Sequence, residues 1–524
     1  MSQTKDIISK NWLNYYNDDL KTKEELSVIF NNWEIKKDAF FKLPSFYNNS
    51  LEFWKDLGLG SFNNYTLEII SSILANELGE QKNVFLAFDK EINVKLREEI
   101  IKIFNFKKHN IVTNFKVDEI NEDIVRSIST SGNFIATIYF EKKPSKPNGA
   151  LKMFKSNGDI INKQIFYELQ NKMKDFDLEI LKTLNPSYEN TSLTKLVDFY
   201  ANALSEKLNN YFPSYKQNLR IHGVFFNQLQ NNIFSKTVKK LGFNFVNLSK
   251  KIIGSELIKG SYNFINNLKF TQKVPDIFFI CNNENKVELY LKINGGLKKF
   301  GQDSISFLFI DFMFTFWKKN NMLDKTIILP LNASKRVVNI IKNYNLKFKY
   351  ENEVLNEDET LYYYSNHRFS SGVFNNYNLN NTEFILLVIV MLNNYKNKND
   401  LLNYKYNQSL EIYSSYSKQI KTIHLDASAI SQFNNLFTVG QNLTKKEKII
   451  EIKNNNFDRE YIKYLQNITL SSGSSFMLYY DYKKSLLVIE LEHKIDKNMI
   501  NLFNLFIKKY IMFRISKAIN LLKK

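Results

Sequence analysis

Cysteine, proline, glycine and histidine are all scarce in this chain, and each scarcity closes off a class of protein. One cysteine, Cys281, in 524 residues leaves no partner for an intrachain disulfide and no multi-cysteine zinc site. Seven prolines and 16 glycines exclude collagen-like and low-complexity chains. The five histidines (His109, His222, His367, His424 and His493) are dispersed and form no ligand-spaced pair. No P-loop, dinucleotide-binding glycine fingerprint or Gly-x-Ser-x-Gly elbow occurs. The longest apolar runs, 384–392 and 305–317, fall short of the roughly 18–20 residues of a membrane span, and the second contains Asp311. Both read as buried helices. The opening Met-Ser-Gln-Thr-Lys-Asp lacks the apolar core of a signal peptide. The expectation is a cytoplasmic chain without a transmembrane segment, reaching a membrane only through partners.

What is present describes a large packed protein. An apolar content of 44% suits a globular chain, and 524 residues predict roughly three or four domains. Lys and Arg total 72 against 53 Asp and Glu, a net charge of +19. The lysines are interleaved with acids, as in Lys21-Thr-Lys-Glu-Glu25, so the charge reads as solvated surface and gives no strong nucleic-acid signal. The heavy use of Lys, Asn, Ile, Phe and Tyr matches an AT-rich bacterial genome. Aromatics make up 15% of residues. The clusters Trp12, Tyr15, Tyr16 and Tyr362, Tyr363, Tyr364 read as exposed, and aromatics are enriched in interface hot spots. Cys281, at the end of an apolar strand, reads as a buried inert thiol.

Periodicity gives the order of elements. Residues 20–29 and 65–78 carry apolar side chains at helical spacing, and the second run stops at Gly79. Strand 84–88, helix 94–106, strand 111–115, helix 120–129 and a strand at Phe134 then form a βαβ series, which predicts a parallel or mixed sheet. The alternation restarts with helix 193–211 and strand 219–226, and a further helix ends at Leu241-Gly242. Strands 276–280 and 288–293 follow as a hairpin pair, with Asn294-Gly295 as the turn. It restarts again with strand 325–330 and helix 333–344. Strands 476–480 and 486–492 and a helix over 497–522 close the chain as an α+β unit. The C-terminal helix carries Met499, Leu502, Phe506, Tyr510, Phe513, Lys508 and Lys509; packing in its own domain is the plainer reading and docking on a partner the alternative.

Three α/β units followed by an α+β unit, with the segment Glu141-Lys142-Lys143-Pro144 leading to Asn148-Gly149, resemble the α-D-phosphohexomutases, the phosphoglucomutase/phosphomannomutase family. That frame is similar to the family's Thr-Ala-Ser-His-Asn-Pro phosphoserine loop with Asn-Gly behind it. Asn11-Trp-Leu-Asn14, Lys23-Glu-Glu-Leu26, Leu51-Glu-Phe53, Tyr65-Thr66 and Lys325-Thr-Ile-Ile328 follow in the family's order. The resemblance spans nearly the whole chain. It implies a four-domain α/β architecture: three α/β domains with mixed sheets (1–192, 193–322, 323–420) and a C-terminal α+β domain (421–524).

The same resemblance locates five places where the family does its chemistry. Phosphoryl transfer needs a nucleophile, a divalent cation and donors for the substrate phosphate. The first glycine loop, Gly-Thr-x-Gly-x-Arg-Gly, is matched by Trp54-Lys-Asp-Leu-Gly58-Leu-Gly60, without the arginine. In the phosphoserine loop (139–149) Glu141 stands for the serine and Lys142 for the histidine. A solvated loop glutamate is the plainer reading of Glu141. The Asp-x-Asp-x-Asp metal loop becomes Asn282, Glu284 and Lys286 within 281–287, and a lysine in a ligand position repels a cation. The sugar loop (364–372) has His367 and Arg368 in place of glutamates. The Arg-Pro-Ser-Gly-Thr-Glu-Pro-Lys phosphate loop is assigned to 480–487, where Lys483 and Lys484 stand.

No catalytic residue, metal or cofactor is expected. The leading expectation is a pseudoenzyme: a scaffold subunit of a larger protein assembly, a motility, cytoskeletal or rotary-ATPase-linked machine among the candidates, with protein subunits or further copies of itself as partners. One alternative is a non-catalytic module binding a sugar phosphate or nucleotide in a basic cleft of Lys142, Lys143, His367, Arg368, Lys483 and Lys484. Another is a divergent active mutase with Glu141 as nucleophile.

Overall fold

The computed structural model describes the chain except for residues 1–4, 48–49, 55–56, 115–119, 121, 132–133, 143–147, 157, 159–162, 174–184, 191–192, 213–217, 249–273, 283–285, 354–359, 371–379, 399–400, 414–415, 428–429, 431–435, 460–461, 483, 496–500 and 521–524. The chain forms two compact units. One comprises Met1–Ala203 with Gln228–Ile233, the other Leu204–Asn227 with Phe234–Lys524.

The first unit opens with helices α1 (Lys5–Tyr15), α2 (Leu20–Asn31) and α3 (Trp33–Phe40). Asp19 begins α2 by accepting a hydrogen bond from the Thr22 amide, as an N-cap does. Seven strands follow with helices between them: β1 (Ser45–Tyr47), β2 (Ser50–Phe53), α4 (Asn64–Glu77), β3 (Asn83–Phe88), α5 (Val94–Phe106), β4 (Asn110–Thr113), α6 (Glu122–Ser131), β5 (Ala136–Lys142), β6 (Gly149–Lys155), α7 (Lys163–Met173) and β7 (Glu189–Asn190). Their sheet order is β1-β2-β6-β5-β3-β4-β7. β3 pairs in parallel with β4 and β5, and β6 runs antiparallel to β5 and β2. Val84 to Phe88 are all buried, as expected of a strand covered on both faces.

Trp12 and Tyr16 are core residues, 3% and 8% exposed, which corrects their reading as surface aromatics. Trp12 packs edge-on to Phe40 and against Tyr65. Tyr15 donates its hydroxyl to Glu68 of α4. Burial pushes the Glu68 carboxyl up to about 7, against the pull of the Tyr15 hydrogen bond. A carboxyl raised in the folded state contributes stability in full below its unfolded pKa of 4.5 and loses it as pH rises through 7. Glu68→Gln keeps an acceptor for Tyr15 and removes the titration. The variant is expected to be about 2–3 kcal/mol more stable than the parent at pH 8 and level with it near pH 4, measured by urea unfolding at both pH values. Equal stabilities at pH 8 would contradict the burial argument.

After α8 (Leu193–Tyr211) come β8 (Arg220–Phe225), α9 (Gln228–Lys240), β9 (Asn244–Asn247), β10 (Ile277–Cys281), β11 (Val287–Ile293) and β12 (Gly296–Phe300). They form a mixed sheet in the order β12-β11-β10-β8-β9. β10 and β11 pair antiparallel, and Asn294-Gly295 turns β11 into β12, a strand the periodicity did not separate. Cys281 is buried and reduced.

Next come α10 (Gln302–Lys319), β13 (Thr326–Leu329), α11 (Lys335–Asn343), β14 (Lys347–Tyr350), β15 (Thr360–Ser365), β16 (Arg368–Phe369), α12 (Asn381–Asn397) and α13 (Leu401–Tyr413). The sheet order is β14-β13-β15-β16, with β13 parallel to both neighbours. The two apolar runs became α10 and α12, whose inner faces are fully buried. Among the described residues no helix is long and apolar enough to cross a membrane. Tyr362, Tyr363 and Tyr364 are completely buried. The expected surface cluster is interior because β15 is covered on both faces: Tyr362 meets Ser306, Tyr364 donates to Asp303, and Tyr363 donates to Glu351.

The last sheet holds β17 (Tyr416–His424), β18 (Ile449–Arg459), β19 (Ile462–Leu470), β20 (Ser475–Asp481) and β21 (Leu486–Lys494), followed by α14 (Asn501–Asn520). All its pairings are antiparallel, in the order β17-β21-β20-β19-β18. β17 begins at Tyr416, so a boundary at 421 would cut a strand. Ile511, Met512, Ile515 and Ile519 of α14 cover one face of the sheet. On the opposite face Tyr464 and Met477 pack with Leu331.

Candidate functional site

In the first unit, the glycine pair of the first loop is a packed turn. A methyl group on Gly58, whose φ is +137°, would lie 2.6 Å from the Phe40 carbonyl oxygen. The Gly58 carbonyl accepts from Asn63 and Thr66, and Asn63 caps α4 by accepting from the Thr66 amide. The donors at this helix start are therefore used by the chain itself.

Glu141 and Lys142 are the last two residues of β5, paired with Ala150 and Gly149 of β6. The solvated-loop reading of Glu141 is corrected by its partner. Lys152, 8% exposed, places Nζ 2.9 Å from Glu141 and 2.7 Å from Glu122. Burial opposes the lysine charge, but Glu122 and Glu141 outweigh it and raise its pKa. The Asn148-Gly149 part of the frame has a packing reason. The Asn148 amide donates to the Phe53 carbonyl, and a methyl group on Gly149 would sit 2.0 Å from the Phe62 ring. Lys143 lies outside the described residues.

In the second unit, Asn282 and Lys286 close the β10–β11 hairpin on each other. The Asn282 amide donates to the Lys286 carbonyl at 3.0 Å, and the Lys286 amide donates to Asn282 Oδ1 at 2.9 Å. Glu284 lies outside the described residues. Among the described residues no three His, Cys, Asp or Glu side chains gather as a metal site.

His367 forms a tight turn with Asn366, both at positive φ, between β15 and β16. Its amide donates to Gln302, and its carbonyl accepts from the Val287 amide at 2.9 Å. Burial lowers the His367 pKa, with Glu288 opposing. Arg368 is a strand residue, paired with Ser365.

The cleft that takes in His367 is a cavity of about 370 Å³. It lies where β13 ends and α11 begins, the crevice at the carboxyl ends of parallel strands. Asp303, Glu490 and Glu492 line it, against Arg336 and Lys418. Among the described residues three carboxylates face two fixed cations, so this cavity is not basic. Its polar groups also satisfy one another. Glu492 accepts from the Ser334 hydroxyl at 2.6 Å and the Lys335 amide at 3.0 Å, capping the start of α11. Burial raises the Glu492 pKa, and the Ser334 hydrogen bond and Lys418 pull it back. Lys418 bridges Glu490 and Asp303, the latter at 3.0 Å, and donates to the Asn332 carbonyl. Asn332 in turn donates to Glu490.

The described residues of 480–487 do not line this cleft. Tyr480 and Leu487 belong to the core beneath α14, and Lys484 binds Asp481 at the β20–β21 turn. Ser475 pairs with Glu492, so the turn sits about 20 Å down the strands from the cleft end. Lys483 lies outside the described residues. The turn that adjoins the cleft is Ser471-Ser472-Gly473-Ser474. Lys335 donates to the Gly473 carbonyl at 2.7 Å. Glu447, 6% exposed, accepts from the Ser471 hydroxyl and the Ser472 amide. A carboxylate of the chain thus holds the donors of this turn.

Of the expected binding residues described in the second unit, His367 lines the cleft, while Arg368 and Lys484 do not. Sequence reasoning passed over Asp303, Lys418, Glu490, Glu492 and the serine turn. Two signals were present: acids on alternate positions of an otherwise apolar strand (Glu490, Glu492) and the Ser-Ser-Gly-Ser-Ser run.

No protein-family model and no curated protein matches this sequence. Solved structures do. A protein of Thermus thermophilus, provisionally described as a phosphomannomutase, aligns over 91% of this chain and 99% of its own, with a TM-score of 0.58 and 8% identity. N-acetylglucosamine-phosphate mutase aligns less closely. Its product complex covers 88% of this chain and 94% of its own, and its substrate complex 88% and 81%, at 8% and 10% identity and a TM-score of 0.42 for each. The match to the Thermus protein covers nearly the whole chain, and the chain has a phosphohexomutase-like fold.

Proposed function

We propose that this chain is a catalytically inactive phosphohexomutase-like protein acting as a structural subunit of a larger protein assembly. The observation that carries this reading is the start of α11, where Glu492 takes the Ser334 and Lys335 donors. A helix start in such a crevice is a natural anion site. Here a substrate phosphate would have to displace a carboxylate held by a hydroxyl, an amide and a nearby lysine. The same pattern recurs at the serine turn with Glu447 and in the first unit with Glu141 and Lys152. Ser472-Gly473-Ser474 is the better counterpart of the family's Ser-Gly-Thr phosphate turn, and it too is internally filled.

The test has two arms. The purified chain with glucose 1-phosphate or mannose 1-phosphate, the matching hexose 1,6-bisphosphate and Mg²⁺ is expected to give no 6-phosphate above background. Turnover that Glu141→Ala abolishes would establish the divergent-mutase alternative instead. The native protein isolated at near-physiological salt is expected to carry stoichiometric protein partners, and recovery only as a free monomer counts against the scaffold role. The ligand-binding alternative draws support from the cleft volume, which lies within the range of small-molecule sites. It predicts a rise in melting temperature with a hexose phosphate.

A further inference from the structure

α14 is apolar on both sides, whereas a helix on a domain surface normally turns a polar face to solvent. Ile511, Met512, Ile515 and Ile519 are used on the sheet. Opposite them Leu502, Phe503, Phe506, Tyr510 and Phe513 are 74%, 62%, 68%, 44% and 57% exposed. At about 100° per residue these five fall within one arc of about 100°. Single exposed apolar side chains need no explanation, but five in one stripe mark a surface that something covers.

Charge identifies the cover. Residues 497–524 hold seven basic side chains and no acidic one, in a chain with 53 acids. Lys517 projects within the aromatic arc and Lys509 along its edge. Arg514 ties the helix to the Leu443 carbonyl, and the adjoining loop adds exposed Lys445, Lys446 and Val439. A second copy on a twofold axis would bring these lysines against their own kind. From Leu502 to Phe513 the arc holds one hydroxyl, on Tyr510, and no amide or carboxylate side chain. A specific protein interface carries roughly one hydrogen bond per 100–200 Å². Phenylalanine and leucine suit the acyl–headgroup boundary, tyrosine suits the headgroup level, and lysines reach lipid phosphates on apolar stems.

We propose that α14 docks this chain on an anionic lipid bilayer, with its aromatic outer face at the headgroup–acyl boundary and Lys509 and Lys517 on lipid phosphates. The helix lies on the surface and does not span it. This is independent of whether the cleft is catalytic.

The test is co-flotation of the full chain with phosphatidylcholine vesicles containing about 30% phosphatidylglycerol, and with pure phosphatidylcholine vesicles. Binding is expected to the anionic vesicles at 100 mM NaCl, and to fall roughly tenfold or more at 500 mM NaCl or without the anionic lipid. Phe503→Ser with Phe506→Ser and Phe513→Ser, and separately Lys509→Glu with Lys517→Glu, should each lower the partition roughly tenfold. All five side chains are exposed, so unchanged circular dichroism is expected. Binding undiminished in both variants would place the contact elsewhere on the basic chain and overturn the proposal. So would a wild type that stays with the soluble fraction, whether as a monomer, as a dimer dispersed by the phenylalanine variant, or in a complex with another protein through this face.

Discussion

Replacing Lys418 with methionine is expected to destabilise the second unit by about 3–5 kcal/mol, the range for removing one partner of a buried ion pair. Lys418 is the cation between Asp303 of α10 and Glu490 of β21, and Glu490 is 4% exposed. Methionine fills the volume of the lysine stem but leaves that carboxylate with the Asn332 amide in place of a charge. The last sheet would then loosen from the segment that carries Asn332 and Ser334. Hydrogen exchange of the β17 and β21 amides isolates the effect from the rest of the chain. Lys418→Met combined with Glu490→Gln should recover much of the loss, since the buried charge goes with its partner. A loss below about 1 kcal/mol for the single variant would mean that water already screens the network, as it does for surface pairs.

Lys152→Met is the second large effect, an expected loss of about 2–4 kcal/mol in the first unit. Its two carboxylates are a quarter to a third exposed, with side-chain exposures of 24% for Glu141 and 31% for Glu122, so part of the cost is recovered by hydration. Arg126 stays within 2.7 Å of Glu122, which keeps a cation after the substitution. Glu141 is the less exposed of the two carboxylates and gains less from water. Glu141→Gln in the Lys152→Met background should therefore restore more stability than Glu122→Gln. The reverse order, read from denaturation midpoints, would show that Lys152 serves α6 more than it serves the end of β5. The comparison also bears on function, because a Glu141 kept for its structural pair is not poised as a nucleophile.

Much of the fold was legible because it depends on patterns along the chain. α5 and α8 have the bounds their periodicity predicts, and β3, β8, β10, β13, β20 and β21 fall where apolar runs are bounded by turns. β18 and β19 were not seen. They carry Lys453, Asn454, Lys463, Gln466 and Asn467 on both faces, which leaves no clean apolar alternation in the sequence to mark a strand. Exposure was misread for the opposite reason. Trp12, Tyr16 and Tyr362 to Tyr364 sit in locally polar sequence, and only helices distant in the chain bury them.

The βαβ alternation, the absence of a Ser-His-Asn motif, the lack of a membrane-spanning run and the basic, acid-free character of residues 497–524 were decided by the sequence alone. Each is a property of residue identity and short-range spacing, which survives without knowledge of contacts. Which charges meet was decided only by the tertiary structure. Glu492 reaches Ser334 across 158 positions, and Lys152 reaches Glu122 across 30. Such pairs form because burial makes an unpartnered charge costly. Which groups become buried together depends on how the sheets stack, and the amino-acid order does not display that.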